Sequence, residues 1–313
     1  MTSDTTTAPL HSLAPSDLAA RLEALPEWPF GSTTLDRIDD GITNVNFIAH
    51  TAHGDVFVKI PGAGTSAFVS MEASTEATRV AAEQGVAPRV LYFDAISGVQ
   101  ATELLVGYRS AGAQEFADPA KVMQVFALYR RLHGGALLTT TKTLFDMIDE
   151  HLTQLTESHV MLQPYQQEVV DLWAHVQARY VAAGLDIVPG HNDMMPSNYM
   201  FGPEGDLKLI DYDYAANTDR FYEIGGIITL FGFPEAVQRQ LVEVYLGHAP
   251  SDGDMARVYL SGMGAAVKWG LWGLYNAAVR DADFDYDKYG AGMLAYAHRM
   301  LASPKTARAL SHL

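Results

Sequence analysis

The residues best suited to chemistry lie in one short segment, 191–201, whose sequence is HNDMMPSNYMF. Asp193 lies five residues before Asn198, and Asp211 follows Asn198 by thirteen residues, at the end of the apolar run LKLI. Mg²⁺ prefers carboxylate and amide oxygens and keeps the rest of its coordination shell for water and phosphates. Phosphoryl transfer also needs a separate carboxylate that orients the attacking hydroxyl and takes its proton. The spacing therefore indicates a magnesium-dependent phosphoryl-transfer site.

Each part of this pattern is weak alone, because an aspartate and an asparagine at that spacing often occur by chance. The combination is more specific: His-x-Asp-x-x-x-x-Asn, a short hairpin, and then two apolar residues before an aspartate. A surface loop rich in turn-forming residues is the alternative interpretation of the same segment. In either case, His191 is expected to brace the loop by hydrogen bonds rather than to act as an acid or base.

The first part of the chain, which must position some of these residues, is rich in predicted strands. Short alternating runs separated by the turns GITN and AHGD predict an antiparallel meander that ends in VFVKIPG. A helix is predicted over residues 66–84, and the segment RVLYFDAISGVQATELL predicts two further strands. We therefore expect an N-terminal lobe over residues 1–105, in which residues 1–14 form a disordered lead.

The rest of the chain is dominated by helical patterns. Long ones cover residues 118–133 and 144–183, and helical patterning resumes from residue 221. Short strands flank the segment HNDMMPSN on both sides, so they form a small β insertion at the front of this region. We expect residues 106–313 to form a helical C-terminal lobe, which makes the predicted fold class α+β.

Composition excludes several classes of function. The 313 residues include no cysteine, which excludes disulfides and thiolate metal sites and is typical of a cytoplasmic protein. The net charge of −16 disfavours nucleic acid and anionic membrane surfaces as partners, and it would attract a small cationic substrate. No stretch reaches the roughly 18 apolar residues of a membrane span. Residues 1–10 lack the pattern of a secretory signal, so we expect neither a membrane span nor a signal peptide.

Several of these motifs resemble one enzyme superfamily. HNDMMPSN and LIDYDYA resemble the catalytic and metal-binding loops of the aminoglycoside phosphotransferase and choline kinase superfamily. DGITNVNF resembles its phosphate-covering hairpin, and VFVKIPG resembles the strand that carries its ATP-binding lysine. KWGLWGLYNA resembles the choline and ethanolamine kinase branch. The resemblance covers roughly residues 35–105 and 185–280, and it implies a protein kinase-like two-lobe fold with a β-rich N-lobe and a mainly helical C-lobe.

The resemblance also implies a role for each matching residue. Asp193 would be the catalytic base, or at least orient the substrate hydroxyl, and Lys59 would contact the α- and β-phosphates of ATP. Asn198 and Asp211 would bind Mg²⁺. The hairpin that covers the phosphates would contribute backbone amides from Gly41, Thr43 and Asn44.

Two positions depart from the pattern of the family. Kinase-like folds usually pair the strand lysine with a glutamate of the N-lobe helix, and that position is occupied here by Ser74. Glu72 and Glu76 flank it, four residues apart and so on one helical face. Glu76 is our predicted partner for the lysine. Asp40 stands where the branch often has a second glycine, which brings a negative charge near the expected phosphate position.

An aromatic segment indicates the acceptor. Trp269, Trp272 and Tyr275 recur every three residues and therefore lie roughly along one side of a helix. Aromatic faces attract a quaternary ammonium by about 0.5–2 kcal/mol each. Tyr212 and Asp213 of the metal loop are expected to extend this acceptor wall. The alternative is that the aromatic stripe is simply part of the core.

Three hypotheses for the function remain open. The first is an ATP- and Mg²⁺-dependent kinase that phosphorylates choline, ethanolamine or a related amino alcohol. The second is a phosphotransferase of the same fold that acts on an aminoglycoside, another antibiotic, a sugar or a vitamin alcohol. The third is a pseudokinase that binds nucleotide without turnover. The methylation state of the acceptor and the oligomeric state are not determined by the sequence.

Overall fold

A computed structural model describes residues 8–38, 44–63, 69–280 and 284–313. The chain divides into two compact units, and the segment around HNDMMPSN contributes to both of them. The first unit comprises Met1–Ala111 and Ser197–Ala215, and the second comprises Gly112–Pro196 and Ala216–Leu313.

The first unit is built on a five-stranded antiparallel sheet with the strand order β1-β2-β3-β5-β4. Strands β1 to β3 form the predicted meander, in which Lys59 of β3 pairs with Asn46 of β2 and with Gln100 of β5. The strands are β1 Thr33–Ile38, β2 Asn44–Thr51, β3 Gly54–Pro61, β4 Val90–Phe93 and β5 Gln100–Glu103.

Two helices belong to this unit, α1 Pro15–Glu23 and α2 Met71–Glu83. Helix α2 begins five residues later than the predicted residue 66, because Ser70 caps it by accepting a hydrogen bond from the Ala73 amide at 3.2 Å. Residues 64–68 lie outside the described part of the chain.

The expected disordered lead, residues 1–14, has structure in its second half. Leu10–Ser12 form a short 3-10 helix, and Leu10 and Leu13 pack against the core of the unit. Burial of these two leucines accounts for the order. Residues 1–7 lie outside the described part.

A three-stranded sheet completes the first unit. It contains β6 Arg109–Ser110, β8 Tyr199–Phe201 and β9 Leu207–Leu209 in the order β6-β8-β9. The predicted hairpin around Pro203–Gly205 is confirmed, because β8 and β9 pair antiparallel on either side of it. Another strand pair lies in the second unit, where β7 Ile187–Gly190 pairs antiparallel with β10 Ala216–Asp219.

The second unit is mainly helical. The pattern over residues 144–183 proves to be two helices, because His159 adopts a left-handed backbone conformation (φ 55°) and Pro164 opens the next helix. The helices are α3 Ala113–Ala117, α4 Pro119–Leu132, α5 Leu144–Glu157, α6 Pro164–Ala182, α7 Phe221–Phe231, α8 Glu235–Leu246, α9 Asp252–Val279, α10 Tyr286–Leu301 and α11 Pro304–Ser311.

Helix α9 forms the centre of the second unit. Its residues from Val258 to Asn276 are largely buried, and it packs against α5, α7 and α10. Helix α7 approaches it closely at Gly225, where an added Cβ would lie 2.6 Å from the backbone nitrogen of Gly262. This close packing fixes α7, which carries Glu223, a residue bonded to the backbone of the segment 191–192. Among the described residues, none of the helices is both long and apolar enough to cross a membrane.

Candidate active site

In the first unit, the β8–β9 hairpin sets the position of the two predicted metal ligands. Tyr199 pairs with Leu209, so the residues at the open end of the hairpin, Asn198 and Ile210, are neighbours. The Ile210 amide donates to the Asn198 carbonyl at 3.0 Å. Asp211 therefore follows directly beside Asn198. Its φ of 66° is an uncommon conformation for a residue other than glycine, and such backbone strain is often found at functional sites.

Lys59 forms a buried ion-pair cluster with two carboxylates. Its ammonium nitrogen lies 2.8 Å from Asp211 Oδ1 and 2.5 Å from Asp213 Oδ1. Burial alone would lower the pKa of Lys59, but the negative charges of Asp211 and Asp213 outweigh it and raise the pKa above its usual value. Stability from this raised pKa is fully present below the unfolded-state pKa of about 10.4 and is lost only at still higher pH.

Asp213 holds this cluster together. Its side chain is only 3% exposed. Besides Lys59, it accepts hydrogen bonds from Asn44 Nδ2 at 2.7 Å and from Ser74 Oγ at 3.2 Å. A carboxylate engaged by three donors is suited to positioning the lysine rather than to binding an acceptor. Its place in the acceptor wall stays a prediction.

Ser74, which stands where kinase-like folds usually have a glutamate, forms a hydrogen bond to the Lys59 cluster. Ser74 donates to Asp213, which in turn binds Lys59, so α2 is linked to the strand lysine through an aspartate. Glu76 is half-buried on α2, two residues further along, and its pairing with Lys59 stays a prediction. Gly41 and Thr43 of the predicted phosphate-covering hairpin lie outside the described residues, as does Asp40.

An Asp213→Asn variant is expected to lose about 1–3 kcal/mol of unfolding free energy, because one charged partner of the buried Lys59 is replaced by a neutral amide. Affinity for ATP should fall as well, since the lysine loses its alignment. Denaturant titration and nucleotide binding measure the two effects. Asp36→Asn is the matched control, because its side chain is 78% exposed in the same unit and a surface pair contributes about 0–1 kcal/mol. Equal behaviour of the two variants would contradict this role.

The donor set beside the hairpin fits a magnesium ion. Asp211 offers a carboxylate with a side chain 41% exposed, and Asn198 offers an amide in a buried position. Both are hard oxygen donors of the kind that Mg²⁺ selects while it retains water and phosphate ligands. Within the described ranges, there is no cluster of three or more His, Cys, Asp or Glu residues that could hold a metal. The pair of oxygen donors therefore suits an ion that is coordinated partly by nucleotide.

In the second unit, a buried carboxylate holds the loop that carries Asp193, the predicted catalytic residue. Strand β7 leads into His191 and Asn192, which are fully buried, and then into Asp193, which is 8% exposed. Glu223 of α7 accepts hydrogen bonds through Oε1 from the His191 amide at 3.0 Å and from the Asn192 amide at 2.8 Å. Asn192 has a φ of 64°, so the chain turns sharply just before the aspartate. These bonds fix the backbone that presents Asp193.

A second layer of hydrogen bonds supports Glu223. His133, at the end of α4, lies with Nε2 2.8 Å from Glu223 Oε2 and with Nδ1 2.7 Å from the Tyr245 hydroxyl. His191 braces the loop from within, as expected, because its Nδ1 accepts from the Asp193 amide at 3.3 Å. Sequence analysis missed Glu223, His133 and Tyr245. They are far from the loop in sequence and belong to no motif that it recognised.

Gly190, the last residue of β7, is predicted to be intolerant of a side chain. A Cβ there would lie 2.6 Å from Thr218 Cγ2 and 3.1 Å from Glu223 Oε2. Gly190→Ala should therefore displace Glu223 and destabilise the protein by about 1–3 kcal/mol. Thermal unfolding tests this, with Gly292→Ala on α10 as the control, since an added Cβ there meets nothing within 4 Å. A Gly190→Ala variant as stable as wild type would contradict it.

The aromatic residues of α9 belong to a larger cluster. The rings of Trp269 and Trp272 meet edge to face at 5.4 Å, as their spacing predicted. Trp272 also contacts Tyr286 at 5.3 Å and Tyr289 at 6.1 Å. Phe284 packs on both of these tyrosines. Phe284, Tyr286 and Tyr289 all lie in the segment FDYDKY, in which aromatic residues alternate with charged ones. This pattern is a sequence signal for the cluster, although its residues were not among the predicted site residues.

The other residues predicted to bind the acceptor lie in different surroundings. Tyr275 is half-buried, further along α9 than the tryptophans. Tyr212 belongs to the first unit, where its ring is only 2% exposed and so offers a ligand little surface. The predicted acceptor residues are therefore divided between the two units. The unit of Asp193 contains Trp269, Trp272 and Tyr275, and the unit of Lys59 contains Tyr212 and Asp213.

The charge of Asp193 acts on the tyrosines near it. Burial, followed by this negative charge, raises the pKa of Tyr289 to about 12. Burial, with the charges of Glu223 and then Asp193, also raises the pKa of Tyr222. Both phenols therefore stay protonated near neutral pH. The negative charge of Asp193 thus acts on two neutral phenols of its own unit.

Comparisons with known proteins show which family the chain resembles over most of its length. A model described as the phosphotransferase enzyme family matches residues 34–260. Ethanolamine kinase 1 of Mus musculus is 23% identical, in an alignment that covers 84% of this chain and 83% of that protein. Probable choline kinase 2 of Arabidopsis thaliana is 22% identical and covers 75% of this chain and 74% of its own length.

Solved structures give the same result for the fold. The crystal structure of a choline/ethanolamine kinase family protein from Mesorhizobium loti is 26% identical, with a TM-score of 0.80 and coverage of 95% of this chain and 98% of that one. Choline kinase LicA from Streptococcus pneumoniae is 19% identical, with a TM-score of 0.71 and coverage of 86% and 93%. The predicted α+β, kinase-like fold is thereby confirmed.

Proposed function

The chain belongs to the phosphotransferase enzyme family, as its motifs indicated, and we propose that it transfers the γ-phosphoryl group of ATP to the hydroxyl of a small amino alcohol such as ethanolamine or choline. One observation carries the choice of acceptor. An aromatic cluster centred on Trp272 lies in the same compact unit as Asp193. Relatives named ethanolamine kinase and choline kinase support the same acceptor class.

In this proposal, residues of the first unit bind the nucleotide. Lys59, aligned by Asp213, binds the α- and β-phosphates, and backbone amides of Gly41, Thr43 and Asn44 cover them. Residues 1–105 form the nucleotide-binding lobe, and residues 106–313 carry the catalytic loop and the acceptor site. The assignment of Glu76 as a partner of the lysine is kept as part of the proposal.

Asn198 and Asp211 would hold Mg²⁺, which when bound neutralises charge that develops on the transferring phosphates. The Lys59 ammonium lies 2.8 Å from Asp211 Oδ1 and neutralises the charge of the Asp211 carboxylate. When ATP enters, the lysine has phosphate oxygens as alternative partners. The carboxylate then becomes available as an oxygen donor.

Asp193 accepts the proton of the acceptor hydroxyl as that oxygen attacks the γ-phosphorus. The bond between the γ-phosphorus and the β–γ bridging oxygen breaks, and ADP leaves with the electron pair. Because the transition state of such transfers is loose, most of the catalytic effect comes from positioning and charge neutralisation. Glu223 contributes by fixing the backbone of His191 and Asn192, and thereby the direction of Asp193.

The aromatic cluster holds the cation of the acceptor. Trp272, Tyr289 and Phe284 contact one another where α9 meets the region in which α10 begins. Cation–π attraction to such rings contributes about 0.5–2 kcal/mol for each contact. Trp269 and Tyr275 complete the set on α9. The net charge of −16 adds a general attraction for a cationic substrate, and the lack of cysteine suits a cytoplasmic setting.

A screen of ATP consumption with Mg²⁺ tests the proposal. The acceptors are choline, ethanolamine, methylated ethanolamines, aminoglycosides and simple sugars, each measured beside a blank without acceptor. Turnover with an amino alcohol supports the proposal. Turnover with only an aminoglycoside or a sugar would replace the acceptor class, and ATP binding without turnover on any acceptor would favour a pseudokinase.

A further inference from the structure

A lysine of the chain itself lies on one of the aromatic faces. Lys268, the residue before Trp269 on α9, is only 2% exposed. Its ammonium nitrogen lies 3.0 Å from the centroid of the Trp269 ring. This is the position in which a cation–π contact places a positive charge. One of the two tryptophan faces assigned to a cationic acceptor is thus already occupied by an internal cation.

The charged groups around Lys268 come from three parts of the second unit. Asp193 acts on it from the catalytic loop, Lys142 from the segment before α5, and Glu150 from α5 itself. Burial, opposed by Asp193, lowers the pKa of Lys268 to about 7. On α5, burial and then the charge of Lys268 lower the pKa of His151 to about 4, so this imidazole is neutral near neutral pH. The charge of Lys268 therefore changes near neutral pH, whereas the imidazole of His151 stays neutral there.

We infer that Lys268 is a specificity-determining residue of the acceptor site, where its ammonium acts as an internal cation that weakens the binding of permanently charged acceptors relative to neutral acceptors of the same shape. The inference rests on the proposed function. Its geometric basis is the contact of the Lys268 ammonium with the Trp269 ring, 3.0 Å from the ring centroid, and the contact of that ring with Trp272 at 5.4 Å. The charge of Asp193 also acts on Lys268.

Like charges repel strongly in a buried site, where the effective dielectric constant is far below that of water. A cationic acceptor beside Trp272 would therefore favour the neutral form of Lys268, and its binding would be linked to the release of a proton. Discrimination against the cation is strongest at pH values where Lys268 is charged, below about 7. It is lost as the pH rises above this value and the lysine becomes neutral.

The test compares two probe acceptors of equal shape. One is choline, and the other is the neutral alcohol in which a tert-butyl group replaces the trimethylammonium group. The measured quantity is the ratio of kcat/KM for choline to kcat/KM for the neutral alcohol, from about pH 6 to about pH 9. Because both acceptors share the same nucleotide and the same transfer step, ionisation of ATP cancels in the ratio.

For wild type, we expect the ratio to rise about tenfold over this range. Lys268→Met should show the high ratio at every pH, because methionine carries no charge. Lys268→Arg should show the low ratio at every pH, because arginine does not lose its charge. Lys305→Met is the matched control. Lys305 also lies over an aromatic ring, 4.7 Å from that of Tyr259, but it is exposed, so the wild-type profile should persist.

A wild-type ratio that does not change with pH would overturn the inference, as would a Lys268→Met variant with the wild-type profile. Thermal unfolding of each variant shows whether it is folded, and either of the two substitutions at Lys268 is sufficient for the comparison with wild type. If neither probe nor ethanolamine is phosphorylated while ATP still binds, the proposed function fails and the inference fails with it. An active enzyme with a flat ratio rejects the inference alone.

Discussion

An Asp193→Asn variant should lose phosphoryl transfer by a factor of about 10²–10⁴ in kcat while keeping its fold and its affinity for ATP. Asparagine has nearly the same shape, and its side-chain oxygen can still accept from the Met195 amide, which lies 3.4 Å from Asp193 Oδ1. What it lacks is a carboxylate able to take the proton of the acceptor hydroxyl. Steady-state kinetics at saturating Mg-ATP measure the loss, and thermal unfolding checks the fold.

Asp149→Asn is the control for this experiment. Asp149 is exposed on α5 in the same unit, so the variant changes the net charge equally without approaching the loop. It should retain wild-type kcat. If the Asp193→Asn variant kept more than about a tenth of the wild-type rate, Asp193 would not be the base.

A Glu223→Ala variant should lose both stability and activity. The carboxylate is fully buried and accepts from two backbone amides of the catalytic loop, while its other oxygen contacts His133 at 2.8 Å. Its removal leaves these buried groups without their partner, which is expected to cost about 3 kcal/mol or more in unfolding free energy. Because Asp193 then loses its fixed direction, kcat should fall by roughly a hundredfold. Denaturant titration and kinetics measure the two losses.

Two further variants make this result specific. Glu243→Ala removes an exposed glutamate of α8 in the same unit and should change stability by less than about 0.5 kcal/mol. Glu223→Gln keeps an oxygen that can accept from the loop amides, so it should recover part of the activity lost in the alanine variant. Wild-type kcat in Glu223→Ala would show that the loop does not depend on this carboxylate.

The parts of this account that the sequence predicted depend on local patterns. The meander up to VFVKIPG and the hairpin that leads to Asp211 follow from alternating apolar residues and from turn residues such as Gly205, which adopts φ 83°. Local spacing also placed Trp269 and Trp272 on one side of a helix. In such cases the structure-forming interaction lies within a few residues, so the sequence carries it directly.

The parts that the sequence did not predict depend on contacts between distant segments. The partners of Lys59 are more than a hundred residues away in the chain, and neither carboxylate could be chosen by spacing. The support of the catalytic loop by Glu223 and His133 is of the same kind. The interruption of the long helix could have been predicted from Pro164, since proline is favoured at the first position of a helix and breaks its interior. The left-handed conformation of His159 leaves less trace in sequence, because the residue is not glycine.

The central claim is that this protein phosphorylates the hydroxyl of a small amino alcohol, and phosphorus NMR of the reaction products tests it most directly. Wild type is incubated with Mg-ATP and either ethanolamine or choline, beside a sample without acceptor. The account predicts a phosphomonoester of the amino alcohol, formed in equal amount to ADP and absent with Asp193→Asn. ADP with inorganic phosphate alone, or no reaction with either alcohol while ATP is bound, would contradict it.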